Sequence, residues 1–172
     1  RFANVLHQIG ARKGDCAVVI MPRVPAWYEV VIGCIKAGVV AMPGTNLLTA
    51  KDIEYLINKS NATVAVVSME HVSKIETIKD HWRTLQHLIL MGGEQYRWIS
   101  DDKACAEAGA QDEPGAVVHS RSDEMMMAYF TSGTTSLPKL VPRVHGYALG
   151  HVVTGNYWMD LTENDVHWTL SD

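Results

Sequence analysis

Between Phe130 and Leu140 the chain sets Thr131, Ser132, Thr134 and Thr135 around Gly133, followed by Ser136, Leu137, Pro138 and Lys139. Hydroxyl donors, a glycine whose backbone can come close to a ligand, and a fixed cation suit the oxygens of a polyphosphate. Pro138 restricts Leu137 to extended conformations and so stiffens the backbone ahead of Lys139. Lys139 then presents a compact positive charge. This is not the G-x-x-x-x-G-K-[ST] loop, because no Gly precedes Lys139 and Leu140 follows it. It is not the G-x-G-x-x-G dinucleotide loop either. The same composition also describes a Ser/Thr/Gly-rich surface turn that bonds only to its own backbone.

The elements that must position this loop alternate along the chain. Phe2, Val5, Leu6 and Ile9 share one helical face, which Gly10 ends. Residues 16–21 are a continuous apolar run, the mark of a strand covered on both faces, and Pro22 stops it. Pro25 suits a first helical turn, and Trp27, Val30, Val31, Cys34 and Ile35 form a core-facing stripe closed by Gly38. A short strand is expected over 39–42, then a loop at Pro43, Gly44, Thr45 and Asn46. Thr49 and Asp52 read as a capping box ahead of Ile53, Leu56 and Ile57. Strand 63–67, a helix capped by Ser68 and running to about 80, and strand 87–91 follow.

Over 94–121 the signal weakens to an Ala-rich helix at 100–108 and a turn at 112–115. Beyond it come strand 125–130 with its three methionines as core, the hydroxyl loop, a strand near 140–144 and a helix over about 146–158. Val166, Trp168 and Leu170 then alternate as a strand of period two. The alternation predicts an α/β fold with mostly parallel sheets and flanking helices. Its expected organisation is a first α/β lobe at 1–93, a connection at 94–121, and the start of a second lobe with the phosphate loop at 122–172.

Composition sets bounds on function. With 47% hydrophobic and 20% charged residues, the chain of 172 is globular in character. A net charge of −4 argues against a nucleic-acid partner. No run reaches the roughly 18–20 apolar residues of a membrane span. Cys16, Cys34 and Cys105 lack a C-x-x-C pair, which fits buried thiols in a reducing compartment. The eight histidines lack H-E-x-x-H, so no metal site is expected. The sequence opens at Arg1 inside a helical pattern and stops at Asp172 directly after a strand-like run. It is therefore expected to be a fragment of a longer protein.

Residues 129–139 closely resemble the phosphate-binding signature of the adenylate-forming superfamily, T-S-G-T-T-G-x-P-K. The resemblance extends over nearly the whole chain. It includes Ala3-Asn4-Val5-Leu6 with Gly14-Asp15, Met21-Pro22, Ala37-Gly38-Val39-Val40, and the run from Val166 through His167 to Ser171-Asp172. Within the superfamily the phrases MMAYFTSGTTS, YALGH, YWMDLT and HWTLSD are most similar to medium-chain acyl-CoA synthetases.

The resemblance implies part of the large N-terminal domain of an AMP-forming acyl-CoA synthetase. Such an enzyme activates a carboxylic acid with Mg-ATP to an acyl-adenylate, then passes the acyl group to CoA. The implied small molecules are thus ATP with Mg2+, CoA and a carboxylate, with no nucleic acid and no membrane span. The implied compartment is the cytoplasm, or the mitochondrial matrix of a eukaryote. Thr131, Ser132, Gly133, Thr134, Thr135, Ser136 and Lys139 are the implied phosphate-binding residues. Ser136 departs from the usual Gly, at a cost of roughly 1 kcal/mol if the loop needs positive φ there.

Other readings stay open: a non-catalytic or degenerate nucleotide-binding fragment, or another adenylating class such as an aryl-CoA ligase. The resemblance also makes His145 a possible nucleotide or acyl contact, with a capping or hydrogen-bonded histidine as the plainer alternative. Arg143 suits an exposed strand end, or added positive potential near phosphate. Tyr147, Tyr157 and Trp158 fall on or near one helix, where core packing and an acyl pocket are the two readings.

Overall fold

The computed structural model describes residues 1–110, 116–131 and 137–167. The turn expected at 112–115 and the strand positions Trp168 and Leu170 lie outside the described residues, as do Ser132, Gly133, Thr134, Thr135 and Ser136.

In chain order the elements are α1 (Phe2–Gln8), β1 (Cys16–Ile20), α2 (Pro25–Ala37), β2 (Val40–Gly44), α3 (Ala50–Ser60) and β3 (Val64–Ser68). A 3₁₀ turn (Met69–His71), α4 (Val72–Thr77), β4 (His87–Met91), β5 (Ile99–Ser100) and α5 (Asp101–Ala108) follow. The last elements are β6 (Met125–Thr131), β7 (Lys139–Val144), α6 (Gly146–Val153) and a π-helical turn (Thr154–Trp158). The seven strands form one sheet in the order β5-β4-β3-β1-β2-β6-β7. All neighbours pair parallel except β6 and β7, which are antiparallel. Only seven residues separate Thr131 from Lys139, too few for a parallel crossover of a dozen or more.

The sheet forms because its central strands are apolar on both sides. Val18, Val19 and Ile20 of β1 are fully buried, each stabilising the fold by about 1.5–3 kcal/mol relative to exposure. Alternation sends Ala17 and Val19 to one face, against Leu6 of α1 and Val30 and Cys34 of α2. Val18 and Ile20 go to the other, against Ile53 and Ile57 of α3 and Ile75 of α4. Among the helices, α2 carries Pro25 at its first turn and ends on Gly38 with φ of 70°, while α3 has the full Thr49–Asp52 capping box.

Several boundaries differ from expectation. β2 continues through Pro43 and Gly44, paired with Val19 and Ile20. Its ladder to β6 has a single register pair, Ala41 with Met127, so that side of β2 tolerates a residue without N–H. The helix after Ser68 is broken into the 3₁₀ turn and a short α4 that stops at Thr77. There the Ser68 hydroxyl donates to Glu70 instead of capping, and Thr77 bonds back to the Ser73 carbonyl. α6 gives way to the π-turn after Val153. Residues 166 and 167 are not in a strand. Of the three methionines of β6 only Met127 is buried. A bulge between Met125 and Met127 interrupts the alternation, and Met125 is exposed.

The hairpin β6–β7 is tied to the sheet through the segment before it. Val118 N–H donates to the Lys36 carbonyl, and Lys13 Nζ donates to the His119 carbonyl at 2.9 Å and pairs with Glu124 at 2.7 Å. Gly38 sits at the centre of this junction. A Cβ there would lie 2.6 Å from Val118 and 2.8 Å from Lys13, on a backbone already at positive φ. Gly38→Ala is expected to lower stability by on the order of 1–3 kcal/mol, read as a lowered urea midpoint with unchanged slope.

Candidate functional site

Parallel strands run in one direction, so their carboxyl ends share one edge of the sheet. The chain leaves β1 for α2 on one face and leaves β2 for α3 on the other, and ligands of open α/β sheets collect at such divergences. Here a cleft of about 1340 Å³ opens at that edge. Met21, Pro22, Arg23 and Trp27 line it from the end of β1 and the start of α2. The stretch from Pro43 to Leu48 supplies a second wall, α3 a third through Lys51, Asp52 and Tyr55, and the hairpin a fourth through Tyr129, Phe130, Leu137 and Pro138.

Two of the residues expected to bind phosphate lie in the described hairpin. Thr131, the last residue of β6, pairs directly with Lys139, the first of β7. Directly opposed residues share a face, with Cβ atoms about 5 Å apart. Phe130 and Leu140, the next pair, pack into the α3 side of the sheet. Alternation therefore turns Thr131 and Lys139 to the α2 side, and both are exposed. The structure thus sets Thr131 and Lys139 side by side on one face of the hairpin, next to the cleft-lining Phe130 and Pro138 and outside the cleft lining itself. Ser132, Gly133, Thr134, Thr135 and Ser136 lie outside the described residues.

His145 stands apart from this pair. It follows the far end of β7, six residues and so roughly 20 Å of strand from Lys139. Its backbone N–H donates to the Glu124 carbonyl at 3.0 Å, and its side chain makes no helix-capping bond. Arg143 lies 4.8 Å over the Tyr147 ring, which in turn meets the His151 ring edge-on. Tyr157 and Trp158 are exposed, 85% and 84%, so within the described residues they are not core.

The thiols follow their burial. Cys34 is fully buried and its thiol is pushed up to about 12 by loss of solvent. Cys105, desolvated and bonded to Asp101, is likewise pushed up to about 12, so neither is a ready nucleophile. The described residues include no cluster of three His, Cys, Asp or Glu able to hold a metal.

Some residues that shape the cleft carry no local sequence signal. Lys74 of α4 donates to the Leu48 carbonyl at 2.7 Å, and buried His71 bonds Asn46 through Nε2 at 3.3 Å. Both hold the wall between β2 and α3 from 26 and 25 residues away. Tyr55 is a third: its hydroxyl donates to the Pro138 carbonyl at 2.9 Å and its ring meets Phe130 edge-on.

Against this geometry, the sequence family described as AMP-binding enzyme matches residues 1–172, the whole chain. The chain belongs to that family. The chain is similar to the human acyl-coenzyme A synthetase ACSM4, mitochondrial, at 37% identity over 175 residues, and to its mouse counterpart at 35%. Each match covers all of this chain and 30% of the relative, so the chain spans under a third of the length of these relatives. Among solved structures, the Brucella canis acyl-CoA synthetase superposes with a TM-score of 0.85 at 25% identity, covering 99% of this chain and 31% of that one. The anthranilate CoA ligase AuaEII, solved with anthranoyl-AMP, gives 0.83 at 25% identity over 91% of this chain and 30% of its own. The mostly parallel, helix-flanked sheet is thus shared with these two ligases. No described helix is long and apolar enough to cross a membrane.

The His71 contact makes the cleft wall sensitive to acid. Burial, reinforced by the Lys74 charge and opposed by Glu70, holds its imidazole below the ordinary value of 6.5. The folded chain keeps His71 neutral while the unfolded chain takes up the proton first, so stability falls as pH drops below 6.5 toward the depressed value. His71→Gln is expected to flatten the loss of urea midpoint between about pH 7.5 and 5.5; a loss as steep as in the parent would assign that pH dependence to other groups.

Proposed function

We propose that the chain forms part of the nucleotide-binding domain of an AMP-forming acyl-CoA synthetase. The observation that carries this reading is the opposed pair Thr131 and Lys139, placed at the carboxyl edge of a parallel sheet in a member of the AMP-binding family. In the proposed reaction a carboxylate oxygen attacks the α-phosphate of ATP, the bond to the β-phosphate breaks, and an acyl-adenylate and pyrophosphate result. The thiol of CoA then displaces AMP to give the thioester. The protein's share is to gather negative charge and hold groups in line.

In that reaction Lys139 neutralises the leaving pyrophosphate as a point charge, and Thr131 donates a hydroxyl to a phosphate oxygen. We assign Ser132, Gly133, Thr134, Thr135 and Ser136 to the same phosphates on the sequence resemblance. Mg2+ is placed on the nucleotide phosphates, where it screens their charge, rather than in a cage of described side chains. His145, remote from Lys139 along β7, is kept only as a contact to a distant part of the nucleotide or the acyl group.

A medium-chain acid is the proposed acyl donor, resting on the resemblance noted above. Relatives named as acyl-coenzyme A synthetases, 31–37% identical over the full chain, support acyl transfer to CoA and leave the acid to be identified. An aryl substrate follows the similarity to the anthranilate CoA ligase, and a panel of acids with the intact protein separates the two. The mitochondrial names of the same relatives favour the mitochondrial matrix if the source is a eukaryote.

In the intact enzyme Lys139→Ala is expected to reduce kcat/KM for ATP at least tenfold, since a charge-assisted phosphate contact is worth about 1.5–3 kcal/mol. Pyrophosphate release with octanoate and Mg-ATP measures it, and unchanged ATP kinetics reject the role. Residues 1–172 alone are expected to release no pyrophosphate at rates near those of a full-length homologue. A rate near that level would show that residues 1–172 suffice for adenylate formation.

A further inference from the structure

Tyr55 lies 83 residues from Pro138 in sequence, yet it meets the hairpin on either side of the Thr131–Lys139 pair, at Pro138 just ahead of β7 and at Phe130 within β6. Its hydroxyl donates to the Pro138 carbonyl at 2.9 Å, immediately before Lys139. Its ring packs edge-on against Phe130, immediately before Thr131, with centroids 6.2 Å apart. A peptide group is planar, so orienting the Pro138 carbonyl also orients the nitrogen of Lys139 and the path of its Cα. Pro138 adds a fixed φ on the other side of that carbonyl.

The helix that carries Tyr55 is anchored at its start and along its inner face. α3 is held at its start by the Thr49–Asp52 capping box and along its length by Ile53 and Ile57, packed on the sheet face, and by buried Leu56. Tyr55 stands on the opposite side of the hairpin from Lys139, so it is not placed to meet the phosphates itself. We propose that Tyr55 is a positioning residue for nucleotide binding: it clamps the two shoulders of the phosphate loop and sets the reach of Lys139. The inference rests on the phosphate role proposed for Lys139.

The test uses the intact enzyme with octanoate, Mg-ATP and CoA, and the variants Tyr55→Phe, Lys139→Ala and their combination. Tyr55→Phe keeps the ring against Phe130 and deletes only the bond to Pro138. It is expected to raise KM for ATP about three- to tenfold, the range of one lost hydrogen bond, with kcat, KM for octanoate and Tm near the parent values. Because the clamp acts through Lys139, adding Tyr55→Phe to Lys139→Ala is expected to change KM for ATP by less than about twofold.

An unchanged KM for ATP in Tyr55→Phe, alongside a clear effect of Lys139→Ala, overturns the clamp and leaves the phosphate role standing. A loss spread equally over ATP and octanoate with a lowered Tm reduces Tyr55 to a structural residue. Full additivity in the double variant also overturns the clamp. Normal ATP kinetics in Lys139→Ala overturn the phosphate role, and the positioning role with it.

Discussion

Everything at the cleft depends on β1 being buried on both faces and bonded on both edges. Ala17 pairs with Ala41 on one side and Val64 on the other, and the register is kept through Ile20. A strand so placed has no polar surface to offer water, which forces helices onto both faces. Right-handed crossovers then send α2 and α3 to opposite sides, and the edge where they part is the cleft. The site is therefore a by-product of how a parallel sheet must be covered, and its chemistry comes from the strand ends and from the flanking helices that part there.

Much of this frame was legible because its signals are local. A run of apolar residues at 16–21, a proline at the first turn of α2, a glycine after it and the Thr49–Asp52 box each act within a few residues. The boundaries that shifted did so where a distant partner intervened. Pro43 stays in β2 because the neighbouring strand offers that edge only one paired position. The helix after Ser68 breaks where Glu70 captures the hydroxyl expected to cap it. β5 is two residues long and is held by pairing with β4, so it leaves no periodicity to read.

The candidate site divides in the same way. Lys139 was evident from its place after a Ser/Thr/Gly run and a proline. The residues that hold the walls were not. Tyr55 sits on the flank of an amphipathic helix whose pattern explains Ile53, Leu56 and Ile57 but says nothing of a carbonyl 83 residues later. Lys74 and His71 resemble ordinary helix-surface and turn residues until the segment from Asn46 to Leu48 is brought against them. Side chains that position others act over sequence distances that only the fold closes.

The bulge at Met125–Met127 carries a further consequence. The hairpin is moored twice, once to β2 through Met127 and once to the segment before it, where His145 and Gly146 bond the Glu124 and Ser122 carbonyls. Two moorings on a ladder of period two need not agree in parity, and the single unpaired residue between Met125 and Met127 takes up the difference. The bulge thus works as slack. A one-residue offset between the two moorings is taken up there, while Thr131 and Lys139 stay paired and keep their facing.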